Sequence, residues 1–370
     1  MKKADIKTIL VPIDFSRFSA PAIQVAKNLG RRFGASIHLV HVHEFFYPMD
    51  LLVPVPMSVA TFRDDAATRR MRRLKILAER NGLAAENCHF MTGVPTFHEI
   101  CSLARQIAAD LIVMPTHGYT GLAHLLGGST AERIVQHSPC PVLVARGASG
   151  KTSRVASDGG ALRSIDTILV PVDFSEASFQ AIEYAIEFAE RVAARLIVFH
   201  AVNLAESFTA NGYGMYDVDA LEEAARRDAE SQMQKFIGLA KFHRVPFETA
   251  VRVAPAVSEI SVLAQERDVD LIITATHGRT GLKHLLMGSI AEHVVRHAPR
   301  PVLVVPSHPE LRAARLTSKS LRAPRPRRPR SEGELLPDLG ETLTKKNRKL
   351  LAHPAPERRK TNRFRESHAL

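Results

Sequence analysis

The sequence predicts a doubled α/β architecture: two consecutive units, each an open parallel sheet of five strands with helices on both faces. Three observations carry this expectation. The segment Ile9-Leu10-Val11-Pro12-Ile13-Asp14-Phe15-Ser16 returns as Ile168-Leu169-Val170-Pro171-Val172-Asp173-Phe174-Ser175, 159 positions later. Residues 116–144 align without gaps on 276–304, with 20 of 29 positions identical. Within each copy, short apolar runs alternate with amphipathic stretches, the pattern of strands buried on both faces and joined by helical crossovers. A period of this length is too long for a solenoid and marks duplication of a whole domain of about 140 residues.

Each copy opens on an apolar run, Ile9–Ile13 and Ile168–Val172, that reads as a buried strand. A helical spacing follows, with Ala20, Ile23, Ala26, Leu29 and Phe33 in the first copy and Ala181, Tyr184, Ala185, Phe188 and Val192 in the second. A second strand (37–42; 196–201) leads through a variable polar loop to a charged amphipathic helix (61–81; 217–243). Then come a short strand (88–91; 248–251), a helix (96–109; 256–268) and a strong strand (111–114; 271–274). A Gly-rich loop, a helix (129–138; 289–298) and a last strand (142–144; 302–305) complete the unit.

These boundaries divide the chain into a first domain (5–147), a linker (148–162), a second domain (163–306) and a tail (307–370). The linker is rich in Gly and Ser and is expected to be flexible. The tail is dominated by Arg and Pro, as in Arg322-Ala-Pro-Arg-Pro-Arg-Arg-Pro-Arg330, and is expected to be disordered. The net charge of +12 resides there: residues 307–370 hold 17 Lys+Arg against 7 Asp+Glu, leaving 33 and 31 for the body. Any contact with a polyanion therefore belongs to the tail. Three cysteines in 370 residues are no disulfide framework, and the N-terminus lacks the apolar core of a signal peptide, so a cytoplasmic location is expected. No apolar run is long enough for a transmembrane helix.

The Gly-rich loop is the first candidate for chemistry. It reads Thr116-His117-Gly118-x-Thr120-Gly121 before Gly128-Ser129, and Thr276-His277-Gly278-x-Thr280-Gly281 before Gly288-Ser289. Glycines admit close backbone approach, and a helix N-terminus offers unpaired N–H groups to an anion. The pair is either a phosphate cradle or a tight turn with a Ser N-cap. Asp14 and Asp173 end the first strands. In an open α/β sheet ligands settle at the carboxyl ends of strands, where such an Asp accepts hydrogen bonds from a base or sugar. The competing role is helix N-cap, for which Ser16 and Ser175 are rivals.

Taken together, Pro-x-Asp-Phe-Ser, Thr-His-Gly-x-Thr-Gly-Leu, and Gly-Ser followed by His-x-Pro-x-Pro-Val-Leu-Val make the chain resemble a tandem universal stress protein. The resemblance implies the strand order 3-2-1-4-5 in each unit and packing of the two last strands about a pseudo-twofold axis, an internal pseudo-dimer. It also admits a homodimer. It further implies binding of ATP or a related nucleotide through Gly, two residues, Gly, nine residues, Gly and Ser/Thr. Gly118, Gly128 and Ser129 supply part of that pattern in copy one, and Gly278, Gly288 and Ser289 in copy two. The first Gly is replaced by Pro115 and Ala275, and Pro has no N–H to offer. Adenine contacts map to Asp14 with the backbone of Val42, and to Asp173 with the backbone of Ala201. Arg279 adds a cation where copy one has Tyr119, which makes copy two the better site.

His117 and His277 have no carboxylate at a fixed spacing to complete a catalytic set. His38, His41 and His43 alternate along a strand and face different sides, so no metal site is expected of them. Mg²⁺ would arrive with the nucleotide phosphates. The function expected is that of a stress-response protein acting through nucleotide binding, conformation and partners. The alternative is a slow ATPase or nucleotide-dependent transferase.

Overall fold

In a computed structural model of the chain, residues 4–44, 57–115, 130–145, 164–204, 218–276 and 287–306 are described. The expected linker and tail lie outside them. The first repeat runs β1 (Thr8–Pro12), α1 (Ser19–Phe33), β2 (Ser36–His43), α2 (Met57–Arg80), β3 (Cys88–Thr92), α3 (Thr96–Gln106), β4 (Leu111–Pro115), α4 (Thr130–His137) and β5 (Val142–Ala145). The second repeats the order as β6 (Thr167–Pro171), α5 (Glu176–Val192), β7 (Arg195–Val202), α6 (Val218–Leu239), β8 (Phe247–Val253), α7 (Ala256–Glu266), β9 (Leu271–Ala275), α8 (Ser289–His297) and β10 (Val302–Val305).

The expectation of two separate five-stranded sheets is corrected. The strands form one ten-stranded sheet in the order β3-β2-β1-β4-β5-β10-β9-β6-β7-β8. Each half has the order 3-2-1-4-5, and its strands pair in parallel. The halves join through an antiparallel seam, with Val302 opposite Val144, Leu303 opposite Leu143 and Val304 opposite Val142. The reason is physical: alone, β5 and β10 would each expose an apolar edge with unpaired N–H and C=O groups. Pairing satisfies both edges and leaves all six of these side chains buried.

Side chains on alternating positions feed two apolar layers. Ile9, Val11, Ile168 and Val170 face the layer under α1, α2, α5 and α6. Leu10 and Leu169 face the one under α3, α4, α7 and α8. Each layer draws on both repeats, so the core is continuous across the seam. Further contacts bridge the halves. Phe33 meets Phe188 at 5.5 Å between ring centroids, and Arg32 Nη1 donates to the Val192 carbonyl at 3.1 Å. The Ala4 N–H donates to Glu187 Oε2 at 2.8 Å, and Arg296 pairs with Glu132 at 2.7 Å.

One duplicated device fixes the amino ends of the first and fourth strands of each half. Asp110 Oδ2 accepts from the Lys7 and Thr8 amides at 2.9 and 3.1 Å, and Asp270 Oδ2 from those of Asp166 and Thr167 at 2.9 and 3.0 Å. Each carboxylate clamps the start of one strand to the start of its neighbour and so sets the register of the pair. The first helix of each half ends on a residue in the left-handed region, Gly34 (φ 65°) and Ala193 (φ 58°). Among the described residues no helix is long and apolar enough to cross a membrane.

Candidate functional site

Pairing of β1 with β4, and of β6 with β9, brings the Pro-x-Asp-Phe-Ser turn beside the end of the fourth strand in each half. Pairing of β6 with β7 sets Ala201 on the other side of the second turn. Asp14, Val42, Asp173, Ala201, Ala275, Gly288 and Ser289 are among the described residues. Gly118, Gly128, Ser129, Gly278 and Arg279 lie outside them.

In both repeats the residue after the Asp takes a left-handed backbone conformation, Phe15 at φ 60° and Phe174 at φ 61°. This conformation is costly for an aromatic residue, and duplicated contacts hold it. His41 Nδ1 lies 2.7 Å from the Ile13 carbonyl, and His200 Nδ1 lies 2.8 Å from that of Val172. Because a carbonyl only accepts, both imidazoles carry their proton on Nδ1. The same rings pack on the strained phenylalanines, at 4.5 Å for Phe15 and 4.2 Å for Phe174. Sequence reading passed over this pair, although His41 and His200 stand at the repeat spacing of 159.

The aspartates are then held differently. Asp173 Oδ1 accepts from the Ser175 amide at 3.1 Å and its hydroxyl at 2.5 Å. Ser175 in turn accepts from the Ser178 amide as the N-cap of α5, a contribution of about 1 kcal/mol. Ser16 does not cap α1, which starts at Ser19 behind Phe18 with no side-chain cap. Asp14 Oδ1 instead accepts from the Ser16 amide at 2.9 Å and the Ser19 hydroxyl at 2.7 Å. Burial pushes the Asp14 carboxyl up, but the bonds from Ser19 and Ser16 outweigh it and hold it below the usual carboxylate range. Its Oδ2 is buried and has no hydrogen-bond partner. An ionised, half-satisfied carboxylate at a strand end is an acceptor in search of a donor.

At the other side of the crevice, the Gly288 amide is already bonded to the Thr276 carbonyl at 2.9 Å and is not free for a ligand. Gly288 is the N-cap of α8 in extended conformation (φ −61°, ψ 142°) and its carbonyl accepts from Glu292. The first-turn amides of Ser289, Ile290 and Ala291 have no acceptor within the helix, which is the general condition of a helix start. Ser289 is exposed. Ala275 and Thr276 are buried, and the Thr276 amide extends the ladder to Val305 at 3.2 Å.

The universal stress protein family model matches residues 5–146 and again 164–306. A universal stress protein of Mycolicibacterium smegmatis is 26% identical over 306 residues, covering 80% of this chain and 96% of that one. One from Thermus aquaticus is 34% identical over 145 residues, 38% of this chain and 98% of its own length. The crystal structure of a universal stress protein from Archaeoglobus fulgidus shares the fold, with a TM-score of 0.52 at 18% identity, covering 83% of this chain and 98% of that one. Matched in both halves, and carrying the duplicated turn and the strand order 3-2-1-4-5 in each, the chain belongs to the universal stress protein family.

Proposed function

We propose that this protein binds ATP or a related nucleotide in the crevice of repeat two and serves the stress response through conformation and partners. Asp173 and the backbone of Ala201 would take the base. Ala275, Gly278, Arg279, Gly288 and Ser289 would surround the ribose and phosphates, with Mg²⁺ arriving on the phosphate oxygens. The observation that carries this is the nearness of an Asp-bearing turn to the strand leading to a helix start whose first-turn amides have no acceptor within the helix. Repeat one, with Asp14, Val42, Gly118, Gly128 and Ser129, is the weaker site for this ligand because Pro115 supplies no N–H. The basic tail is the part suited to polyanions, through contacts that weaken steeply with salt.

Calorimetric titration of ATP with Mg²⁺ into the full chain tests this. Gly288→Val sets a branched side chain at the helix start and should nearly abolish binding. Ser289→Ala should cost about 1 kcal/mol, or about fivefold in affinity. Asp173→Ala should weaken ATP and ADP alike. Full affinity in Gly288→Val, with Gly128→Val defective, would move the site to repeat one, and no binding by the unaltered chain would remove nucleotide from the proposal.

A further inference from the structure

The turn that is duplicated in sequence is not duplicated in its surroundings. In repeat two the ring of Phe174 is packed by His200 on one side and meets the edge of Phe236 from α6 at 5.5 Å. In repeat one the matching ring, Phe15, has His41 at 4.5 Å and the Arg73 guanidinium of α2 at 4.3 Å. An apolar partner has given way to a cation.

Arg73 does not stand alone. Arg70, one turn earlier on α2, is half-buried, and its Nη1 is closed off from solvent with no hydrogen-bond partner. A buried guanidinium N–H without an acceptor is rare and costly in a folded protein, and an ion or ligand is one of the few things that account for it. His41 and His43, two residues apart on β2, share one face of the sheet, against the expectation that the three histidines face different sides, and the charge of Arg70 reaches both. Burial first, then Arg70, holds His43 below the usual histidine range. Burial, Arg70, His43 and Arg73 do the same for His41 against the bond to Ile13. Among the described residues neither Arg70 nor Arg73 makes an ion pair with a carboxylate. Glu44, the acidic group acting on His43, is bonded to Thr96. In repeat two the strand position of His43 is Val202.

We infer that Arg70 and Arg73, beside Phe15, His41 and His43, form an oxyanion-binding site at the carboxyl end of β2 in repeat one, suited to a phosphoryl group. Arg70 supplies the buried donor and Arg73 the exposed one, fixed over an aromatic face that restricts its rotamers. Burial first, and then the cations around them, hold both imidazoles toward the neutral form, so they polarise the site while adding little charge. The first repeat is thus a second, differently built anion site. This does not depend on nucleotide binding in repeat two, since no residue is shared.

The test is titration of inorganic pyrophosphate into the full chain, read by calorimetry and by ³¹P line width, with malonate as a carboxylate control. Arg70→Met should lower pyrophosphate affinity by about tenfold or more, as expected on losing a charged hydrogen bond, and Arg73→Met by less. Gly288→Val should leave this site unaffected even where it removes ATP binding. Malonate binding as tight as pyrophosphate would keep the oxyanion site and assign it to carboxylates. Without ligand, Arg70→Met should leave the unfolding midpoint unchanged or raise it, because an unpaired buried donor is removed. A lower midpoint would mean that Arg70 is satisfied within the fold and would overturn the inference. So would unchanged pyrophosphate affinity in Arg70→Met, or no binding by the unaltered chain.

Discussion

Leu303 offers a direct measure of whether the two repeats are one thermodynamic body. It is fully buried, lies opposite Leu143 at the seam, and belongs to an apolar layer built from both halves. Leu303→Ala leaves a cavity in a rigid, two-sided environment, which costs about 3 kcal/mol within the usual range for such sites. If the sheet unfolds as one unit of about 300 residues, the unfolding entropy is about 0.6 kcal/mol/K and the midpoint falls about 5 °C in a single transition. If each repeat unfolds alone, about 145 residues carry about 0.3 kcal/mol/K, and one of two transitions falls by about 10 °C. Differential scanning calorimetry separates these outcomes. Because Arg296–Glu132, Phe33–Phe188 and the β5–β10 pairing all cross the seam, the expected result is one shifted transition. Two transitions with only the later repeat affected would refute the continuous core as an energetic unit.

Other consequences are open to the same kind of test. Ala193→Gly should stabilise the chain by about 0.5–1 kcal/mol, because relief of the left-handed strain exceeds the entropy glycine adds to the unfolded state; a denaturant titration with unchanged slope would show it. Asp270→Ala should lower stability by about 2–3 kcal/mol in the same assay, since the Asp166 and Thr167 amides lose a charged acceptor. His38 Nδ1 lies 3.0 Å from His89 Nε2, one of them donating, and burial holds both below the usual histidine range, with the neighbouring His89 adding to the effect on His38. A lowered folded-state pKa favours the neutral form. The pair's contribution is therefore complete above about pH 6.5 and is lost as pH falls below it. The double change His38→Ile with His89→Ala installs the residues that repeat two carries at the same strand positions, Ile197 and Ala250, and should flatten the fall in midpoint between pH 7 and pH 5.

Much of the fold is legible because duplication writes it twice. The apolar runs at Ile9–Ile13 and Ile168–Val172 have no polar face to expose, which admits only a strand covered on both sides. The seam was legible as proximity but not as fusion: Val142–Val144 and Val302–Val305 read as short apolar strands in need of cover, and nothing local says that each covers the other. The site was legible where chemistry is carried by residue type, as at Asp173 and Gly288. It was not legible where it depends on backbone conformation or on a distant partner. The left-handed Phe15 and Phe174 answer to histidines 26 residues away on the next strand. That Ser175 caps its helix while Ser16 does not depends on whether the neighbouring Asp reaches Ser175 or Ser19. Spacing cannot make that choice, because the two turns are identical in sequence from Asp to Ser.

The antiparallel seam has a consequence for access. Strands within each repeat are parallel, and the two sets run in opposite directions, so their carboxyl ends emerge on opposite rims of the sheet. The two crevices are therefore doors on opposite walls of one building. No single compact ligand can bridge them, and a partner that reads the occupancy of one approaches from the side that cannot see the other. Among the described residues, the rims are joined through the sheet and its helices, along strands only four to five residues long in the middle of the molecule. Under the proposed function, two small-molecule signals would thus arrive independently at one continuous sheet, each with its own face from which to report.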